Sequence, residues 1–227
     1  MNMKTQNPIR SVVRVQTVAV LAIALAGAWL AGCSTTVYKQ GDRAADAAWM
    51  TAMQVQTESQ ALAGAQATLN NLVEKPAADL KPQFLSFSAA LDTLVAAAKK
   101  AEVSGDRLVR SNAAFMAAWE KQLTTITNAE VRSRSEARKT EVSGRFDVAH
   151  KQYLQAQGTL RPLIGYLQDL RKTLSTDLTP GGLEAVKGLA ANANTTVSKA
   201  QADLVQAIAE LKALSASTSS ARGPAPN

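Results

Sequence analysis

In the second half of the chain, apolar residues recur in alternating steps of three and four without a miss. They run Phe146, Ala149, Tyr153, Ala156, Leu160, Leu163, Leu167, Leu170, Leu174, and again Leu183, Val186, Ala190, Ala193, Val197, Ala200, Leu204, Ala207, Leu211, Leu214. That spacing follows the 3.6-residue turn and lays one apolar stripe along each of two long helices. A stripe of this length is hidden from water only by other helices striped in the same way, which predicts coiled-coil-like packing. An earlier run, Phe84, Phe87, Leu91, Leu94, Ala98, Ala101, Gly105, Leu108, Asn112, Phe115, Trp119 and Ile126, keeps one register straight through Ser104-Gly105. It therefore predicts one helix there and not two. The first run, Ala45, Ala48, Ala52, Val55, Leu62, Leu69 and Val73, is weaker, because Ser59 and Gln66 also fall on its seam.

The breaks between the runs carry helix stops. Lys75-Pro76 through Lys81-Pro82 separates the first two, since proline lacks an N–H and clashes with the preceding turn. Thr127-Asn128 separates the second and third, with Asn128 placed to cap the next helix, and Thr179-Pro180-Gly181-Gly182 separates the last two. Pro162 falls inside the third run, where the leucine rhythm continues beyond it, so a kink is expected and not an end. Short turns make sequential helices antiparallel neighbours. The expected fold is all-α, an elongated antiparallel bundle of about four long helices. Composition agrees: aromatics are only 4% of the chain and much of its hydrophobic 46% is alanine, the strongest helix former and a small packing unit.

The front of the chain is organised differently. Lys4, Arg10 and Arg14 lie in a segment without an acid, followed by an apolar run of 13 residues from Val18 to Leu30. A membrane-spanning helix needs roughly 20 apolar residues, so this order predicts an export signal and not a span. The run ends in Leu30-Ala31-Gly32-Cys33, and this LAGC resembles the lipobox of bacterial lipoproteins. The resemblance implies diacylglycerol on the Cys33 thiol, cleavage just before it, and acylation of the new amino group with chains such as palmitate. It also implies a place in the cell envelope. In enteric lipoproteins an Asp after the cysteine tends to retain the protein in the inner membrane, so Ser34 points to the outer membrane, facing the periplasm. Cys33 is the only cysteine, so the mature chain has no internal disulfide and depends on packing.

The expected division is a signal peptide over 1–32, a tether over 33–41, a helical bundle over 42–214 and a disordered tail over 215–227. A second resemblance rests on the stretch SNAAFMAAWEKQLTTITNAEVRSRSEARKT from Ser111, followed by Phe146, Tyr153 and the Leu160-Arg161-Pro162-Leu163 step. It is similar to a family of uncharacterised helical lipoproteins from proteobacteria, defined only as a domain of unknown function. It implies the bundle and the envelope location, and no activity.

Chemistry-bearing patterns are sparse. The single histidine, His150, sits between Ala149 and Tyr153 with Asp147 one turn before it, a placement typical of a packed or solvated helix residue. Acid–base and metal chemistry need partners of types this chain lacks, so no enzyme, cofactor or metal site is expected. No glycine-rich phosphate loop or nucleophile elbow occurs. The net charge of +7 includes the three front cations; from Cys33 onward 22 basic and 18 acidic residues leave +4, with no basic stripe interleaved with aromatics. Nucleic acid is not an expected partner. Trp119 lies on the seam and is expected in the core; Trp49 lies one position off it, and its role stays open.

From the seams, the second and third helices outlast the first and fourth, so the hairpin around Asn128 is expected to project at the end where the tether leaves. This gathers Lys121, Arg132, Arg134, Arg138 and Lys139 near the membrane that holds Cys33. They form either a membrane- or partner-contacting site or a solvated face, and the interleaved Glu120, Glu130, Glu136 and Glu141 favour the second. The expected function is a lipid-anchored structural or protein-interaction module with an envelope partner, its oligomeric state open. The alternative is a bundle holding a small or lipidic ligand where Ala98, Ala101 and Gly105 meet Ala190, Ala193 and Ala200.

Overall fold

The computed structural model describes residues 34–220 as four helices: α1 (Ser34–Glu74), α2 (Lys81–Leu123), α3 (Ala129–Thr176) and α4 (Pro180–Thr218). There is no strand among the described residues. The signal segment, Cys33 and residues 221–227 lie outside the described residues. Each helix packs on its chain neighbours, and α4 closes the ring on α1; α1 and α3, and α2 and α4, occupy the diagonals. This is the expected up-down bundle. The α2–α3 seam is much sparser than the other three.

The helix starts follow local chemistry. The Asn128 side chain accepts the Val131 N–H at 3.0 Å, as expected of a cap. Thr179 caps α4 by accepting from Gly182 N at 3.2 Å, with Pro180 preset in the first turn. Between α1 and α2, Gln83 reaches back to Asn71 and to the Lys75 carbonyl, tying the Pro76 loop to both helices. α3 runs on as one helix through Pro162.

Every seam residue expected on α3 and α4 is buried. On α2 the stripe holds from Phe87 to Phe115 except at two places: Asn112 is only half-buried, and Ala97 is buried in place of Ala98, which turns towards the sparse α3 side. α1 buries more than one stripe. Ala45, Ala48, Ala52, Val55, Leu62, Leu69 and Val73 are inside as expected, and so are Ala44, Ala47, Thr51, Glu58, Ala65 and Leu72. Sandwiched between α2 and α4, α1 needs two adjacent faces. Ser59 and Gln66, the interruptions of its seam, face α4: Ser59 donates to Gln201 at 2.6 Å and Gln66 to Asn194 at 3.0 Å, while Asn194 donates to Asn70 at 2.9 Å.

Two boundaries differ from expectation. Segment 34–41 is helical and not a tether, because Val37, Gly41 and Ala44 continue the three-and-four rhythm against Phe115. At the other end, α4 continues to Thr218, its last carbonyl region held by Arg138 on the Ser217 oxygen at 3.0 Å. α1 thus has 41 residues and α4 has 39. Ser220 bonds Asp42 through both its amide, at 3.1 Å, and its hydroxyl, at 2.7 Å, so α4 stops level with Asp42. The Asn128 hairpin therefore projects past α4, but α1 runs beside it nearly to its tip. This end is three helices thick, with its own small core of Ala44, Phe115 and Val142, flanked by Val37, Met116 and Trp119.

The small residues expected to leave a cavity do not face one another, since α2 and α4 lie on a diagonal. The space at Gly105 is filled by Tyr153: a Cβ there would come within 2.5 Å of the tyrosine hydroxyl. Gly158, one turn further along α3, has open space instead. Gly105→Ala is therefore expected to destabilise by about 1–3 kcal/mol through overpacking, and Gly158→Ala to stabilise by about 0.5–1 kcal/mol through helix propensity. Urea unfolding of the two variants checks this; equal signs would show that Tyr153 yields freely.

Candidate functional site

The hairpin end brings together the five cations singled out from the sequence. Lys121 lies in the last turn of α2, and Arg132, Arg134, Arg138 and Lys139 occupy the opening turns of α3. Four of the five are engaged within the protein. Arg132 donates to the Ile126 carbonyl, 2.9 Å from its Nε, closing the turn. Arg134 pairs with Glu130 at 2.9 Å, Arg138 with Glu141 at 2.6 Å, and Lys139 with Glu120. Glu141 also takes Arg145 at 2.9 Å, and the hydrogen bonds from Arg138 and Arg145 hold its carboxyl below the usual range. The tip is electrostatically self-contained, which fits a solvated face. Exposed pairs of this kind contribute little to stability, because water and salt screen them.

Trp119 is half-buried here and not deep in the core, because it sits where α4 is missing; its ring leans on Phe115 at 5.2 Å and its Nε1 donates to Ser135 at 3.0 Å. Trp49 lies on the α4 side of α1 under the ammonium of Lys212, 5.8 Å from the ring centre. His150 stacks on Phe146 at 5.4 Å. Among the described residues no three His, Cys, Asp or Glu side chains gather in a way that would hold a metal, and no helix is long and apolar enough to cross a membrane.

Halfway along the bundle lies a polar layer the seam reading missed. Glu58 of α1 is fully buried, and its Oε2 accepts from Gln157 of α3 at 2.8 Å, a bond across the diagonal; its Oε1 has no hydrogen-bond partner. Tyr153, one turn before Gln157, donates to the Ala101 carbonyl of α2 at 3.0 Å. Thr51, two turns before Glu58, donates to Ala47 O at 2.8 Å and reaches Ser104 of α2. Burial pushes the Glu58 carboxyl up to about 7, against the Gln157 bond and the positive field of Arg161, which both favour the ion. Burial likewise raises the Tyr153 phenol, which stays a neutral donor. The signal in the sequence was a second register on α1, Ala44, Ala48, Thr51, Val55, Glu58, Leu62, in which two polar residues occupy seam positions.

The clefts are open grooves on the outside. One of about 720 Å³ lies at the two-loop end between Pro76, Leu80, Leu178 and Pro180. Another, of about 560 Å³, runs between α1 and α2 over Met50 and Val103. A third, of about 310 Å³, follows the sparse α2–α3 seam beside Gln157 and Arg161.

The chain belongs to the family described as "Protein of unknown function (DUF2959)", which matches residues 43–217. No curated protein and no solved structure matches it.

The buried carboxyl sets a pH dependence. The folded protein keeps the Glu58 proton up to about pH 7, whereas the unfolded chain releases it near the ordinary 4.5. The native state therefore binds more protons across that window, and stability falls as pH rises through it, by about 3 kcal/mol in all. Asp42 and Asp203 act oppositely at lower pH: hydrogen bonds, chiefly from Ser220 and Lys199 respectively, hold both below the usual range, so their contribution fades in acid. Urea midpoints between pH 5 and 8 are expected to decline for the native chain and to stay nearly level for Glu58→Gln. A native stability that rises between pH 5 and 7 would contradict the buried, protonated state.

Proposed function

We propose that the protein is a lipid-anchored envelope protein, acylated on Cys33 and held at the outer membrane facing the periplasm, that serves as a structural or protein-interaction module. The feature that carries this reading is Leu30-Ala31-Gly32-Cys33 at the end of a 13-residue apolar run, directly before Ser34, the first described residue of α1. An anchor on Cys33 would then meet the bundle with almost no slack. With two or three acyl chains, each buried CH₂ contributing about 0.8 kcal/mol, attachment would be permanent.

The build of the bundle suits such a role. One continuous core joins all four helices, and α3, with 48 residues, reaches roughly 70 Å. A body of that length with a filled seam transmits position from the membrane to whatever it meets. The same filled seam argues against a ligand held in the bundle core.

Cys33→Ala is expected to accumulate as an uncut precursor that takes up no labelled palmitate. A variant that matures and fractionates like the native protein would remove the anchor from this account. Crosslinking in intact cells, followed by identification of the attached protein, would name the envelope partner.

A further inference from the structure

Of the hairpin cations, Arg134, Arg138 and Lys139 are paired with neighbouring glutamates; those on the broad side of α1 and α2 are not so paired. Along α2, Lys99, Lys100, Val103 and Arg107 recur on one outward face, and with Met50 of α1 and Ala96 they line the 560 Å³ groove. Lys99, Lys100 and Arg107 are exposed and form no ion pair among the described residues. Between them stand two large apolar side chains open to water, Val103 at 60% exposure and Met50 at 46%. Helical steps of three and seven bring Arg110 and Arg43 to the same side. The acids at these spacings are Asp46, Asp92, Glu102 and Asp106; Asp92 and Glu102 are paired with Arg171 and Arg161 of α3, so five cations face two acids without an ion pair among the described residues.

The geometry points to the α1/α2 face as a docking surface for an anionic bilayer, on which the bundle lies with Val103 and Met50 in the headgroup layer and Lys99, Lys100 and Arg107 among the lipid phosphates. Apolar residues rimmed by unpaired cations are the pattern of an interfacial helix face. The groove is shallow, which suits a headgroup layer better than a single enclosed ligand, since ligand pockets bury most of what they hold. α1 is also the helix whose first described residue, Ser34, follows Cys33. Met50 lies about 24 Å along α1 from Ser34, so only tilting the bundle onto this side brings the face to a membrane that holds Cys33. The inference rests on the anchor reading for its root, but not for its charge pattern.

The test uses the full chain carrying Val103→Cys, labelled there with an environment-sensitive fluorophore and reconstituted into vesicles whose headgroups carry a quencher. In phosphatidylglycerol-containing vesicles the probe is expected to be quenched; in phosphatidylcholine alone it is expected to stay bright. Combining K99Q, K100Q and R107Q is expected to lower the lying population roughly a hundredfold at low salt, about fivefold per charge. R132Q, R134Q and R138Q together are expected to change nothing. Quenching that is equal in both vesicles, or that survives loss of the three charges, overturns the proposal. So does an unquenched probe combined with a protein adduct at position 103 in cells, which would make this face a protein-docking surface. Whether the denatured native chain reacts with maleimide at Cys33 reports the anchor separately. A free thiol there sinks the lipidation and leaves the quenching result standing.

Discussion

Everything in this protein depends on α1 being enclosed on two sides. A helix in a four-membered ring usually buries one seam; α1 buries two adjacent ones, against α2 and against α4, and only small residues make that possible. Ala44, Ala45, Ala47, Ala48, Ala52 and Ala65 let both neighbours approach closely, and the larger Val55, Leu62, Leu69 and Leu72 fill the centre. Each alanine removes little area from water, so the bundle compensates by length. The α2–α3 seam, which lacks such a double stripe, is correspondingly sparse.

The polar layer at mid-bundle is costly to hold and specific in its geometry. A buried carboxyl with one unpartnered oxygen lowers stability wherever it is ionised, and a hydrophobic residue of similar size would relieve that. What the layer supplies is registration. Glu58 with Gln157, Tyr153 with Ala101, and Thr51 with Ser104 each join different helices at one level, whereas leucines slide past one another at little cost. Gly105 belongs to the same device, since its missing side chain admits the Tyr153 ring.

Charge is divided in the same purposeful way along the surface. At the Asn128 tip, glutamates placed three, four or nineteen residues away pair with Arg134, Arg138, Lys139 and Arg145, and Arg132 closes onto the Ile126 carbonyl. On the α1/α2 side, cations collect around exposed apolar residues without such partners. Equal numbers of basic residues thus have different reach into solution, because a paired charge has already spent its field on its neighbour.

The sequence by itself determined the helices. The leucine rhythm of α3 and α4, the register of α2 through Gly105, the cap at Asn128, the break at Thr179 to Gly182 and the antiparallel order all follow from periodicities of seven and from short turns with their stop residues. Those are local facts, written within one helix or one loop. The tertiary structure decided what depends on two helices at once: which diagonal Glu58 crosses, that Ser59 and Gln66 face α4, that Phe115 covers Gly41, and that Lys139, Arg161 and Arg171 find acids on α2. None of these is a property of spacing along the chain. A heptad shows that a residue faces inward but not which neighbour it meets, and the ring order that settles the matter comes from the packing of all four helices together.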